Sequence, residues 1–82
     1  MNQLTNKIME TKVIEIINFI RQNKNLPILM EIKDNDNLRE SIGFTSFDLA
    51  ELTVRIEDEF SVDIFEDGII STIGEIYEKL KK

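Results

Sequence analysis

The segment Gly43-Phe44-Thr45-Ser46-Phe47-Asp48-Leu49-Ala50-Glu51-Leu52 sets one serine at the head of a strongly acidic stretch that continues through Glu57-Asp58-Glu59-Phe60. A serine becomes a nucleophile only when a neighbouring base takes its proton. The chain has no histidine and no cysteine. A Ser–His pair, thiolate chemistry and a Cys/His zinc site are therefore closed to it. Ser46 reads instead as a hydroxyl at a helix start, where free N–H groups and the helix dipole favour an attached phosphate. The plainer reading is an ordinary helix-start serine.

Other chemistries find little support. No GxxxxGK[ST] phosphate loop occurs. Asp34, Asp36 and Asn37 resemble the start of a calcium loop, but Leu38, Arg39 and Thr45 occupy its fifth, sixth and twelfth positions, so turn chemistry is the better account. Metal sites are not expected. Carboxylates crowd the region of Asp48, Glu51, Glu57, Asp58, Glu59, Asp63, Glu66 and Asp67, with Arg55 as the one cation among them. Like charges spaced i,i+4 oppose a helix by a few tenths of a kcal/mol each.

The elements that must position Ser46 follow from periodicity. Met9, Val13, Ile16, Ile17 and Ile20 fall on one face of a first helix expected over 4–22. Leu4, Ile8, Ile14 and Phe19 lie off that stripe, as on a helix covered from more than one side. Residues 23–44 read as a long connection rich in Asn, Asp and Pro, with Leu26, Ile28, Leu29, Met30 and Ile32 expected to pin it to the helices. Leu38 and Ile42 suggest a single turn just before Gly43. A second helix is expected over 46–60, with Thr45 as N-cap and Asp48 closing a capping box. Its core face is Leu49, Leu52, Thr53, Ile56 and Phe60. Phe47 and Val54 point the other way, beside Glu51 and Asp58. They either form an apolar stripe rimmed by carboxylates, suited to a partner with basic edges, or pack under the first loop. An extended link over 61–65, a possible short helix near Glu66 and Asp67, and a last helix begun by Thr72 and Glu75 complete the chain. Lys79, Lys81 and Lys82 suit the negative end of that helix.

These elements make a small all-α bundle of three or four helices, with a long loop between helices one and two, as a single domain over 1–82. A chain this short buries about 60–65% of its unfolded surface, enough for one core and little enclosed space. With 16 acidic against 10 basic residues the net charge is −6. That charge disfavours nucleic acid and anionic membrane surfaces and favours basic protein patches. No apolar run approaches the ~20 residues of a membrane span, and the first residues do not read as a signal peptide. A cytoplasmic monomer is the expectation.

Thr45-Ser46-Phe47, then Asp48, Glu51-Leu52, Glu57, Glu59-Phe60, Val62 and Ile64, resemble the acyl carrier protein family, whose pattern is Asp-Ser-Leu followed by D-x-x-E-L-x-x-x-x-E-x-E-F-x-V-x-I. Asn37-Leu38-Arg39-Glu40-Ser41-Ile42-Gly43 resembles the family's approach to its serine, and Thr72-Ile73-Gly74-Glu75-Ile76 the start of its last helix. The resemblance covers nearly the whole chain. It implies that Ser46 carries a 4′-phosphopantetheine arm, added from coenzyme A by a phosphopantetheinyl transferase whose own reaction uses Mg²⁺. It implies a non-catalytic carrier that passes acyl or aminoacyl thioesters between partner enzymes of fatty acid, specialised lipid or secondary-metabolite synthesis. By position, docking to basic patches of transferring and synthase enzymes falls on Asp48, Glu51, Val54, Glu57 and Asp58, with Phe47 beside the serine. An acyl chain sheltered in the bundle would meet Leu49, Ile56, Phe60, Ile64, Ile73 and Ile76. Three departures stand out: Thr45 for the usual Asp, Phe47 for the usual Leu, and Arg55 within the acidic face. They point toward a dedicated pathway, a surface polysaccharide among the options. The competing reading is an acidic helical adaptor that is never modified.

Overall fold

The structure, a computed structural model, describes residues 3–81, with side chains from Asn6 onward. Three helices form: α1 (Gln3–Asn23), α2 (Ser46–Phe60) and α3 (Ile73–Leu80). Among the described residues there is no strand, only an isolated bridge between Asn37 and Thr72. The all-α class and the long first loop stand as expected. The short helix expected near Glu66 and Asp67 does not form. Residues 64–67 are a turn closed by i→i−3 bonds from Glu66 N–H to Asp63 (3.2 Å) and from Gly68 N–H to Phe65 (3.1 Å). The Asp63 carboxylate takes the Phe65 N–H, which favours a turn over a helix.

The α1 stripe is buried as its spacing predicts. Val13 and Ile17 are fully buried, Met9 and Ile20 nearly so, and Ile16 packs at the edge. α1 packs directly on α2, whose Leu52 and Ile56 are fully buried opposite it. Ile73, Ile76 and Tyr77 bring α3 into the same core. A second covered face on α1 is not found, for Ile8 and Phe19 are about half exposed. Phe19 instead lies beneath the Arg55 guanidinium, 4.2 Å from ring centre to Cζ, and Arg55 Nε also donates to Glu51 at 2.8 Å. The Leu4 side chain and Lys82 lie outside the described residues.

The long loop is held by polar bonds more than by the apolar residues expected to pin it. Leu26, Leu29 and Ile32 are half-buried, but Ile28 and Met30 face solvent. The Asn18 side chain makes a reciprocal pair with Leu29, accepting its N–H (2.8 Å) and donating to its carbonyl (2.9 Å). Arg21, only 7% exposed, donates from Nε and Nη2 to the Pro27 carbonyl (3.1 and 2.9 Å) and from Nη1 to the Ile42 carbonyl. No carboxylate is needed because the guanidinium's donors are met by carbonyl oxygens. Further along, the loop caps α3. The Ile73 N–H donates to Asp36 (3.1 Å) and the Gly74 N–H to Asp34 (2.8 Å). Glycine suits that position, since a Cβ on residue 74 would press within 3.1 Å of the Asp34 carbonyl oxygen and the loop would have to shift.

Substituting Arg21→Ala removes the donors to both carbonyls and leaves that of the buried Ile42 without its partner. We expect a loss of about 2–3 kcal/mol, read as a lower urea midpoint. Arg21→Lys should recover only part of it, because one ammonium cannot reproduce the fork.

Candidate functional site

Ser46 occupies the first turn of α2 and is exposed. Thr45, in extended backbone at φ −87° and ψ 175°, caps the helix. Its hydroxyl accepts the Asp48 N–H (3.2 Å) and the Asp48 carboxylate accepts the Thr45 N–H (2.8 Å), completing the capping box. The chain reaches this start through Gly43 at φ +87°, a left-handed conformation that favours glycine. Phe44, Ile42 and Leu38 are buried around it and fix the approach. The N–H groups of Ser46 and Phe47 have no protein acceptor among the described residues. The N-terminus of α3 is different, with its first three N–H groups all satisfied.

Two basic side chains converge on this turn. Lys24 donates to the Asp48 carboxylate and to the Gly43 carbonyl (3.2 Å). Arg39 donates from Nη2 to Ser46 Oγ. Neither was singled out for the site by sequence reasoning. Arg39 stands seven residues before Ser46, and only the turn over 38–41 returns its side chain to the serine.

Asp48, expected among the docking carboxylates, is 9% exposed and faces inward. Burial pushes its carboxyl up, but hydrogen bonds from Lys24 and from the Thr45 backbone and hydroxyl outweigh it and hold it below the usual carboxylate range. Its Oδ2 alone accepts three donors, so this carboxylate serves the cap of α2. Phe47 and Val54, by contrast, are 87% and 65% exposed, which settles their placement against packing under the loop. Glu57 and Asp58 are exposed beside them, while Glu51 is half-buried and paired with Arg55. The acidic region is also less bare than its sequence implies. Lys12 of α1 lies 3.8 Å from Glu59, and Lys79 of α3 lies 2.8 Å from Asp67.

A cavity of about 310 Å³ opens beside Ser46, with Leu38, Leu49, Phe65, Ile69 and Ile70 as its apolar lining. Of the six residues expected to shelter an acyl chain, only Leu49 lines it. Ile56, Ile64, Ile73 and Ile76 are fully buried in the close-packed core, and Phe60 lies at its edge. The open space lies between the first turn of α2 and the residues before α3, not at the centre of the bundle.

A family model described as a phosphopantetheine attachment site matches residues 24–80. The chain belongs to that family. Members carry covalently attached 4′-phosphopantetheine and act as carrier domains. The matched span takes in the long loop, α2 and α3 and begins just after α1. No solved structure matches the chain. Among the described residues no helix is long and apolar enough to cross a membrane.

The residues at the helix start suit such a group. An exposed hydroxyl, two backbone N–H groups without acceptors and a guanidinium surround the place where a phosphodiester would stand. The cap beneath it is pH-dependent. A carboxyl whose folded pKa is depressed adds stability that is fully present above its unfolded value near 4 and is lost as pH falls through the folded value. Glu75 behaves likewise, held low by the Ser71 and Thr72 N–H groups. Stability should therefore decline as pH drops from about 5 to about 3. Asp48→Asn should cost about 1–2 kcal/mol at pH 7 and flatten that decline in urea titrations at several pH values. Acid limbs of equal steepness would show that the Asp48 carboxylate does not support the cap.

Proposed function

We propose that this protein is a non-catalytic carrier whose Ser46 bears the 4′-phosphopantetheine arm, presenting acyl or aminoacyl groups to partner enzymes of fatty acid, specialised lipid or secondary-metabolite synthesis. One observation carries the reading: within the span matched to the attachment-site family, Ser46 offers an exposed hydroxyl at a helix N-terminus whose first two N–H groups are unclaimed. When bound, the arm supplies a terminal thiol for thioester formation, chemistry that a chain with no cysteine lacks.

The chain's own residues bind and orient. Thr45, Asp48 and Lys24 fix the first turn of α2, so the hydroxyl stands in one place when a phosphopantetheinyl transferase approaches with coenzyme A and Mg²⁺. The Ser46 and Phe47 N–H groups face an added phosphate from the positive end of the helix. Phe47 and Val54 provide an exposed apolar stripe, and Glu57 and Asp58 rim it with charge. Such a surface suits enzymes with basic docking patches, where rim charges act mainly on association rate. Glu51 takes a lesser part because Arg55 already neutralises it. Leu49, Phe65 and Ile70 offer the first apolar contact to cargo that folds back along the arm. A protein acting this way works as a monomer in the cytoplasm, meeting one partner at a time.

Incubation with coenzyme A, Mg²⁺ and a promiscuous phosphopantetheinyl transferase should add one pantetheinyl group by intact mass to the wild type and none to Ser46→Ala. An adduct that survives the substitution, or no adduct at all, would return the protein to the unmodified adaptor reading. Reversing Glu57 and Asp58 to Lys together should slow loading at low salt by about tenfold while the melting temperature is unchanged. An undiminished rate would move docking off this stripe.

A further inference from the structure

We propose that Arg39 is a positioning residue for the modified serine, its guanidinium holding a non-bridging oxygen of the phosphodiester on Ser46 Oγ. This rests on Ser46 being the attachment point and concerns which side chain of this protein restrains the group once it is there. Three observations carry it. Arg39 Nη2 donates to Ser46 Oγ. The chain has 16 acidic residues, yet the ion pairs among the described residues use Lys12, Lys24, Arg55 and Lys79 and leave Arg39 on a hydroxyl. Finally, the backbone beneath Arg39 is fixed. Asn37 Oδ1 accepts the N–H groups of Arg39 (2.8 Å) and Glu40 (2.9 Å), the Leu38 N–H donates to Ser71 (2.8 Å), and the Leu38 side chain is buried.

A neutral hydroxyl is a poor match for a guanidinium in a chain so rich in carboxylates. A phosphodiester is a good one, because it brings a full negative charge and non-bridging oxygens that the planar guanidinium can meet with paired N–H donors. Its oxygens are bonded to a phosphorus carried by the same Oγ that Arg39 already contacts, so the turn need not move. The unclaimed N–H groups of Ser46 and Phe47 face the phosphate from the helix while Arg39 closes it from the loop. Thr45 belongs to the same arrangement. An aspartate there would offer Arg39 a carboxylate next to the serine, whereas threonine caps the helix and leaves the guanidinium to the phosphate.

The test compares modified and unmodified protein within each of three chains: wild type, Arg39→Gln and Arg39→Lys. Melting temperature is read at low salt and again in 0.5 M NaCl, with modification at Ser46 confirmed by mass. Modification should raise the wild-type melting temperature by roughly 2–4 °C at low salt, the size expected of one partly screened charge contact in a domain this small. The rise should shrink in high salt, fall in Arg39→Gln to the part that the helix-start N–H groups supply, and lie between the two in Arg39→Lys. Each comparison is made within one variant, so a purely structural cost of the substitution cancels. The ³¹P resonance of the modified protein should shift between wild type and Arg39→Gln. An equal rise and an unshifted resonance in Arg39→Gln would overturn the role of Arg39 while leaving Ser46 as the attachment point. Failure of wild-type Ser46 to accept the group would overturn both.

Discussion

The buried guanidinium of Arg21 joins the parts that must agree before Ser46 can stand where it does. It sits in the last turn of α1 and binds Pro27, early in the long loop, and Ile42, four residues before the serine. A loop running from Lys24 to Thr45 would carry a large ordering cost if held by scattered apolar contacts alone. Two carbonyls fixed by one side chain leave one long span, between Pro27 and Ile42. Within it the Asn18–Leu29 pair and the bonds from Ile73 and Gly74 to Asp36 and Asp34 restrain the chain further. The start of α2 is thereby placed from α1 and α3 together.

The two inter-helix segments end in contrasting ways. At α3 the capping box and the loop carbonyls of Asp34 and Asp36 consume every early N–H, and Gly74 admits the loop at close range. That end is built for packing. At α2 the same kind of capping box leaves the first two N–H groups to solvent beside an exposed hydroxyl. Two similar sequence signals thus give one structural end and one available end. Thr45-x-x-Asp48 and Thr72-x-x-Glu75 do not decide the difference. It follows from whether the long loop crosses in front of the helix.

The same distinction separates what could be read from the chain from what could not. α2, both capping boxes, the buried stripe of α1 and the core face of α2 were legible, because each rests on neighbours three or four residues apart. Arg21, Lys24, Arg39 and the Lys12–Glu59 pair were not, because they act across separations of many residues that no local pattern encodes. Asp48 shows the two levels in conflict. Its position in the acidic run suggested an outward charge, while the N3 position of a capped helix turns it inward, where Lys24 meets it. The lining of the cavity beside Ser46 was not legible for a related reason. The isoleucines with the strongest core periodicity are the ones packed too closely to line a cavity, and Phe65, Ile69 and Ile70 come from a link with no periodicity to read.

Charge poses the remaining question, since the phosphodiester proposed on Ser46 would add negative charge to a chain already at −6. The structure keeps the two requirements apart along one helix. Glu57 and Asp58 lie eleven and twelve residues beyond Ser46, or about 16–18 Å at 1.5 Å per residue. That is about two Debye lengths at physiological salt, so their repulsion at the serine is largely screened. Nearer the serine the balance reverses. Lys24 neutralises Asp48, Arg39 contacts the hydroxyl and Thr45 contributes no charge. The first turn of α2 is therefore locally receptive to an anion, while the later turns keep their exposed carboxylates. A single acidic helix can meet both proposed requirements because screening is short-ranged compared with its length.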